Sequence, residues 1–346
     1  MNEVIVATYC ENGSYGSVVQ ALGLKKGLLE LGCNSRLIAD LPYEPIPVHK
    51  VSLKRKVKGT LAQLVKIPSK GAVKKKLKHN RAFIAQHMDT CLLKEVSAEA
   101  VFLAGSDQIW HPYVRSKVFF GEGLPEGMRK VSYAASMGVL EIPAEKETQF
   151  RQLIGNFDVL SVREKSCVPV LQKFTDKEIG VHIDPSFFLR ADQWGQYERS
   201  YAVEKPYILV FPIYWDPAYN EQLKKLHRET GKEIVVLGDY RRKIFATQWA
   251  FDADVGQFLW LLHHADAVVS SSFHGTALAL NYNKKVAAVV NPSAASRIED
   301  LFTCLGYQNS AISDLTKDDV DWEYLNGRIK EEKERAMAYL KEALLI

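Results

Sequence analysis

A histidine between a predicted strand and a predicted helix is the clearest candidate for chemistry in this sequence. His274 follows the β-branched pair Val268 and Val269 and precedes a run of helix-forming residues, Ala277 to Leu280. Backbone N–H groups and the positive end of a helix dipole at such a turn favour an anion. Gly275 would let a ligand approach the backbone there. A lone histidine in a loop more often has a structural role, so the neighbouring segments must decide.

Two other predicted strands end in polar residues that suit a ligand. Asp107, with Ser106 before it and Trp110 after it, could hold a sugar, since the carboxylate accepts hydroxyl protons and the ring covers an apolar sugar face. The alternative is an Asx turn beside a core tryptophan. Arg163 ends a later strand, where a guanidinium can hold a carboxylate or phosphate with two parallel hydrogen bonds. Its alternative is a simple ion pair with a neighbouring acid such as Glu164.

The first predicted strand, Val4 to Thr8, leads into a polar loop and then a helix. The loop matches neither the dinucleotide-binding GxGxxG pattern nor the P-loop, because no Gly-Lys-Ser/Thr follows. Asn12, Gly13 and Ser14 can still offer hydrogen-bond donors to a ligand. A strand–loop–helix–strand start indicates a parallel α/β sheet, whose ligands gather at the carboxyl ends of the strands.

The same alternation of strands and helices recurs along the chain and predicts an α/β protein with two tandem Rossmann-like domains. We expect an N-terminal domain over residues 1–195 and a C-terminal domain over 196–320. Residues 321–346 predict a helix that packs back across the domain junction, because Leu325, Ala336 and Leu340 share one face.

Composition fits an ordinary soluble protein of 346 residues, with 47% hydrophobic and 25% charged residues. No apolar run approaches the ~18 residues that span a bilayer. The five cysteines are scattered and never in CxxC spacing, which favours a reducing, cytoplasmic location and disfavours a zinc site. We expect no metal.

Positive charge is concentrated in one stretch. Twelve Lys or Arg residues lie between Lys50 and Arg81, and no acid occurs from Pro45 to Met88, although the formal net charge of the chain is only +4. A basic insertion at about residues 50–81 predicts contact with an anionic membrane surface and a peripheral location at its inner face. The alternative is a solvated basic helical face. Nucleic acid is disfavoured, because no aromatic residue of the stretch could stack on bases.

Six segments stand in the order and approximate spacing of one known family. They are NGSYGSVVQAL (Asn12 to Leu22), GSDQIW (Gly105 to Trp110), SYAASMG (Ser132 to Gly138), LSVRE (Leu160 to Glu164), HIDPSFFL (His182 to Leu189) and SSFHGTAL (Ser271 to Leu278). The sequence therefore resembles the polysaccharide pyruvyl transferases over nearly its whole length. The resemblance implies a two-domain fold similar to GT-B glycosyltransferases.

The resemblance also implies transfer of a pyruvyl group from phosphoenolpyruvate onto a sugar, usually as a cyclic ketal on two hydroxyls. The acceptor would be a cell-surface polysaccharide or its lipid-linked precursor, and no cofactor is expected beyond the donor itself. Family motifs place His274 as general acid and base, a role that imidazole suits because it can both give and take a proton near neutral pH, and Arg163 and Arg297 as the residues that hold the anionic groups of the donor. The turn at Ser272, Gly275 and Thr276 would hold the phosphate.

Two other functions remain open from the sequence. A nucleotide-sugar glycosyltransferase of the GT-B type would use the same cleft, and retained uridine or cytidine phosphate would favour it. A non-catalytic sugar-binding protein is the second alternative. The pair formed by Arg163 and His274 argues against it, because a binding protein needs no acid next to an anion clamp.

Overall fold

A computed structural model describes residues 3–10, 13–42, 70–114, 116–238, 244–290 and 295–346. Its strands are β1 (Glu3–Ala7), β2 (Asn34–Ile38), β3 (Thr90–Cys91), β4 (Val101–Ala104), β5 (Lys130–Ser132), β6 (Leu160–Val162), β7 (Ile179–Val181), β8 (Tyr207–Phe211), β9 (Glu233–Val236), β10 (Gln248–Trp249), β11 (Ala267–Ser270) and β12 (Lys285–Ala288). Most are short apolar runs buried on both faces, the pattern of a parallel sheet covered by helices.

The strands form two parallel sheets, one in each half of the chain. The first has the order β3-β2-β1-β4-β5, and isolated bridges from Val131 to Val159 and from Ala135 to Val162 join the parallel pair β6-β7 to its β5 side. The second has the order β10-β9-β8-β11-β12. Two Rossmann-like sheets in tandem confirm the predicted fold class, whereas the boundaries at residues 195 and 320 stay predictions.

Ten helices accompany these sheets in the described residues. They are α1 (Tyr15–Glu30), α2 (Lys70–His87), α3 (Ala144–Gly155), α4 (Val168–Leu171), α5 (Ala191–Gly195), α6 (Tyr219–Thr230), α7 (Val255–His264), α8 (Phe273–Asn281), α9 (Ser296–Leu305) and α10 (Trp322–Ala343). Short 3-10 turns lie between them, and the one at Pro185–Phe187 follows β7. No helix in the described part of the chain is both long enough and apolar enough to cross a membrane.

The C-terminal helix crosses the junction between the two halves, as the sequence predicts. Leu325, Ala336 and Leu340 are buried, so α10 packs through one apolar face. Toward the first half, Tyr339 donates a hydrogen bond to the Ser132 carbonyl at 2.8 Å, and the Ala343 carbonyl accepts one from Arg129 at 2.8 Å. Toward the second half, Arg328 of α10 donates to the Cys304 carbonyl at 3.1 Å, so the helix contacts both halves.

Only the last part of the basic insertion is described, and it belongs to α2. The residues of the insertion before 70 lie outside the described chain. One face of α2 lies against the start of α7, where the Asn80 side chain accepts the Val255 amide at 2.9 Å. Lys76 also turns inward, with its ammonium 4.0 Å from the centre of the Tyr15 ring. On the opposite face Lys74, Lys75, Lys78 and Arg81 are exposed.

Candidate functional site

His274 lies in the first turn of α8 and is buried between the two sheets, with 7% of its surface exposed. Ser272 caps the helix, because its hydroxyl accepts the Gly275 amide at 3.3 Å. The imidazole packs against Gly16 of α1, where a Cβ atom would lie 2.3 Å from Nδ1. A glycine is therefore required at Gly16 for the histidine to fit between α1 and α8.

Asp184, which follows β7, is the carboxylate that His274 faces. The distance from His274 Nε2 to Asp184 Oδ2 is 3.5 Å, an ion-pair contact, and no described residue forms a hydrogen bond with this buried nitrogen. Burial alone would raise the pKa of Asp184, but His274, Arg163 and the Ser186 amide outweigh it and hold the pKa well below its usual range. Asp184 is thus a buried anion at neutral pH.

Arg163 shares that carboxylate. Its Nη1 lies 2.9 Å from Asp184 Oδ2, and its Nε donates to Glu164 at 2.8 Å. Burial alone would lower the pKa of Arg163, but Glu164 and Asp184 outweigh burial and raise it. The guanidinium lies 3.8 Å from the centre of the Phe273 ring. The ion pair with Glu164 that the sequence left open is therefore present, and Nη2 is the buried guanidinium nitrogen without a partner in the described chain.

Arg297, in the first turn of α9, is a second cation beside Arg163. Burial lowers the pKa of Arg297, and the like charge of Arg163 lowers it further, although a guanidinium keeps its proton at neutral pH. Its Nε is buried without a hydrogen-bond partner in the described residues. Arg163 is buried and Arg297 is half-buried, and each has a buried nitrogen without a hydrogen-bond partner in the described chain. An anion bound between the two guanidinium groups would offset their mutual repulsion.

A cavity of about 710 Å³ opens beside these groups. At one end it is lined by Arg163, Asp184 and Arg297, and it continues along β7 between α9 and α10. His274 does not line this cavity, but its Nε2 lies 3.5 Å from Asp184, which does. The structure therefore places Arg163 and Arg297 on the wall of one cavity and His274 directly behind that wall.

The predicted phosphate turn is only partly supported by the local geometry. A side chain at Gly275 would meet the Phe211 ring at 2.5 Å, so Gly275 serves helix packing, and its amide is already bonded to Ser272. Phosphate binding by Gly275 stays a prediction, and the Phe273 and His274 amides have no intrahelical acceptor at this helix start. Thr276 has a buried hydroxyl without a described partner, so its role stays a prediction.

The predicted sugar contacts after β4 separate into two groups. Trp110 is fully buried and packs on Phe120 and Phe157, with its Nε1 donating to the Phe119 carbonyl, so a sugar contact is wrong for this residue. Ser106 is also fully buried and lies 3.1 Å from Asp184 Oδ2, so it orients that carboxylate. Asp107 is half-buried and close enough to affect the pKa values of both arginines.

The N-terminal loop is described except for residues 11 and 12. Asn12 lies outside the described residues. Ser14 is exposed and caps α1, because its hydroxyl accepts the Ser17 amide at 3.3 Å. Ligand binding by either residue stays a prediction.

Sequence reasoning missed Asp184, Glu164 and Gly16 as functional positions. Asp184 stands before Pro185 and caps the following 3-10 turn through the Ser186 amide, which is the ordinary role of an Asp-Pro-Ser sequence. The capping pattern accounts for only one carboxylate oxygen, Oδ1. The other oxygen, Oδ2, contacts Arg163 and His274, and the sequence gives no sign of this. The available signal for Asp184 was its place in HIDPSFFL, one of the six segments that carry the family resemblance.

One group of potential metal ligands exists among the described residues, and it is separate from this site. Ligand atoms of Glu198, His263 and His264 lie within 4.8 Å of one another at the end of α7. Glu198 already contacts His263 at 2.8 Å and the Tyr282 hydroxyl at 3.2 Å. The residues around His274 are arginines and a paired carboxylate, which suit an anion better than a cation.

Comparison with known proteins gives a family and a fold. A family model described as polysaccharide pyruvyl transferase matches residues 15–293. A search of curated proteins finds no match.

Solved structures of sugar-nucleotide epimerases share the fold at low identity. A putative UDP-N-acetylglucosamine 2-epimerase from Listeria monocytogenes is 11% identical with a TM-score of 0.53, covering 98% of this chain and 95% of its own. UDP-GlcNAc 2-epimerase from Neisseria meningitidis, bound to UDP-GlcNAc, is 11% identical with a TM-score of 0.51, covering 100% of both chains. At this identity the likeness shows the fold alone, which is the predicted GT-B-like pair of domains.

Proposed function

Because the chain belongs to the polysaccharide pyruvyl transferase family, we propose that it moves the pyruvyl group of phosphoenolpyruvate onto hydroxyls of a sugar acceptor. The acceptor belongs to a cell-surface polysaccharide or to its lipid-linked precursor. The product is a ketal in which one carbon of the pyruvyl group joins two sugar oxygens.

The observation that supports this function best is the pair of arginines, Arg163 and Arg297, beside an acid–base residue. Phosphoenolpyruvate carries a carboxylate and a phosphate, and each arginine has a buried nitrogen without a hydrogen-bond partner among the described residues. His274 Nε2 also lacks a hydrogen bond within the described chain and lies 3.5 Å from Asp184. Charged hydrogen bonds are about twice as strong as neutral ones, so these groups would hold the donor against Asp184 and the imidazole.

The proposed reaction adds one proton to carbon and removes one proton from each of two hydroxyl oxygens. Protonated His274 gives its proton to C3 of the enol, which becomes a methyl group and leaves C2 cation-like. A sugar hydroxyl oxygen bonds to C2 and returns its proton to the imidazole. The bond from C2 to the phosphate oxygen then breaks and inorganic phosphate leaves. The second hydroxyl oxygen bonds to C2 to close the ketal, and its proton goes to the departing phosphate. Arg163 and Arg297 stabilise the carboxylate and the leaving phosphate.

The test is incubation of the full chain with phosphoenolpyruvate and a panel of galactosides and mannosamine derivatives, free and lipid-linked. Phosphate release that depends on the acceptor, together with an acceptor carrying a pyruvyl ketal in its mass spectrum, is the expected result. Release of phosphate without acceptor modification would contradict the proposal. Uridine or cytidine phosphate retained by the purified protein would favour a nucleotide-sugar glycosyltransferase instead.

Arg297→Gln should weaken donor binding without weakening the fold. The charge has no ion-pair partner among the described residues and repels Arg163, so its removal leaves no buried acid unpaired. Losing one charged hydrogen bond to the donor costs about 1.5–3 kcal/mol, or roughly a 10- to 150-fold weaker affinity. Calorimetric titration with phosphoenolpyruvate and a thermal unfolding scan measure the two effects. A lowered melting temperature with unchanged affinity would make Arg297 a structural residue.

We also propose that the exposed face of α2 holds the enzyme on an anionic membrane surface, where a lipid-linked acceptor is presented. Each basic residue near such a surface contributes about 1 kcal/mol, so replacing Lys74, Lys75, Lys78 and Arg81 with Gln should reduce co-sedimentation with phosphatidylglycerol liposomes at low salt. Lys76 is retained in this variant because it contacts Tyr15.

The matched control removes the same charge elsewhere, at four lysines that are also exposed: Lys94, Lys173, Lys225 and Lys330. Wild-type and control proteins should sediment alike. If the α2 variant binds as strongly as they do, that face is an ordinary solvated surface.

A further inference from the structure

The cavity beside β7 is larger than the donor requires. Its volume is about 710 Å³, whereas one water molecule takes about 30 Å³, so it has room for roughly two dozen waters. Phosphoenolpyruvate, with three carbons and one phosphate, fills only the end at Arg163 and Arg297. The remaining space follows β7 and α9 away from these arginines, and Thr303 lies about 9 Å farther along the helix axis than Arg297.

We propose that this outer part of the cavity binds the sugar ring of the acceptor. The inference rests on the proposed pyruvyl transfer, and it assigns the second substrate to a particular place. A sugar held there would meet the donor at Asp184, where the wall of the cavity approaches His274. A hydroxyl of the acceptor would then lie close to C2 of the donor, the carbon to which it bonds.

The charged groups of the two ends differ in their hydrogen bonding, and this difference separates donor from acceptor. Arg163, Arg297 and Asp184 line the inner wall, and Glu164 behind it pairs with Arg163, yet each arginine keeps one buried nitrogen without a hydrogen-bond partner in the described chain. The outer wall has three cations and three acids, which are Lys165, Arg328, Arg335, Glu178, Asp300 and Glu332. The unpartnered guanidinium nitrogens of the inner wall suit the anionic donor. A balanced outer wall suits a neutral polyhydroxyl ring better than a second phosphate.

Most charged side chains of the outer wall are already held in place. Glu332 pairs with both Arg328 and Arg335 on α10, and Asp300 accepts the Ser166 amide at 2.9 Å. His182 adds no charge at neutral pH, because burial, followed by the nearby Arg335, lowers its pKa to about 4. Preorganised acids and guanidinium groups offer both acceptors and donors, which is what sugar hydroxyls need.

The edge of the first sheet provides a further set of polar groups. Within the described chain β6 is the strand neighbour of β7, so the other edge of β7 faces the cavity and α10. Arg335 uses that edge, donating to the Val181 carbonyl at 3.1 Å. Alternate backbone groups of an edge strand point to its open side, where hydroxyls of a sugar can bond them.

The helical side of the acceptor wall lies outside the residues that the family model matches, whereas the β7 side lies inside them. The family match ends at residue 293, and α9 and α10 comprise residues 296–305 and 322–343. Arg163, Asp184 and His274 lie inside the matched part, and Arg297 lies just beyond it. Acceptor choice would therefore depend in part on the C-terminal helices, which the family model does not match.

Thr303→Trp tests the assignment, because Thr303 is exposed and lines the outer cavity. An indole there should fill the entrance and raise the KM for the acceptor by roughly tenfold or more, while the KM for phosphoenolpyruvate stays within about twofold. Glu299→Trp is the matched control, since Glu299 is exposed on the same helix but does not line the cavity. It should change neither constant.

Direct sugar binding gives a readout that is independent of pyruvyl transfer. Saturation-transfer NMR with galactose and N-acetylmannosamine should show contact with wild type and Glu299→Trp, and a lost signal with Thr303→Trp. An unchanged acceptor KM and sugar signal in Thr303→Trp would overturn the assignment, and so would a loss confined to phosphoenolpyruvate. Sugar contact that is lost in Thr303→Trp, in a protein that does not use phosphoenolpyruvate, would retain the sugar site and reject only the proposed donor.

Discussion

His274→Ala is expected to lower the rate of pyruvyl transfer by about 10²–10⁴, the usual contribution of a positioned acid–base group. The imidazole is buried at the junction of both sheets, and its Nε2 faces Asp184 without a hydrogen-bond partner in the described chain. Steady-state turnover with saturating phosphoenolpyruvate and acceptor measures the effect. Donor affinity should change far less, because Arg163 and Arg297 remain.

A second histidine serves as the control for that substitution. His264 is the last residue of α7 and is half-buried. Its ring stacks on Trp260, with 4.4 Å between the ring centres. His264→Ala should leave turnover within a few-fold of wild type. Equal turnover in His274→Ala and wild type, with circular dichroism showing both folded, would remove His274 from the mechanism.

Asp184→Asn is expected to cause the largest loss of stability. The carboxylate is fully buried and contacts both Arg163 and His274, so its removal leaves Arg163 with Glu164 as its remaining acid. Breaking a buried ion pair from one side typically costs about 3–5 kcal/mol. Turnover should also fall, by about tenfold or more, since the imidazole loses the charge that orients it. Thermal unfolding and steady-state kinetics measure the two losses.

The pH dependence of this loss has a definite sign. The pKa of Asp184 in the folded protein is held below its unfolded value of about 3.9, so its stabilisation is present above that pH and lost as the pH falls. The difference in melting temperature between wild type and Asp184→Asn should therefore narrow from pH 7 toward pH 3. A difference that is constant with pH would mean that shape, and not charge, is what Asp184 contributes.

Asp192→Asn is the matched control, because Asp192 also pairs with an arginine but is exposed. Its carboxylate lies 2.7 Å from Arg190 Nη2, and 65% of its side chain is accessible to solvent. Water screens such pairs, so the melting temperature should change little. A similar loss in both variants would indicate that burial does not distinguish the two ion pairs.

The sequence by itself determined the order of strands and helices and the place of His274. Buried β-branched runs such as β11, followed by helix-forming residues, are local patterns whose period fixes the element type. The apolar face of α10 is equally local, and it predicted a helix across the junction. Arg163 could be placed at a strand end in the same way, because strand ends are read from a few consecutive residues.

Only the tertiary structure decided which polar residues meet. Asp184 reads as the cap of a turn, and its contacts with Arg163 and His274 depend on how β6, β7 and α8 pack together. The burial of Trp110 and the close packing of Gly275 also depend on tertiary structure, because each residue contacts an aromatic ring from a distant segment. Sequence periodicity reports the face on which a residue lies. The partner on the other side of that face is fixed by long-range packing, which local patterns do not encode.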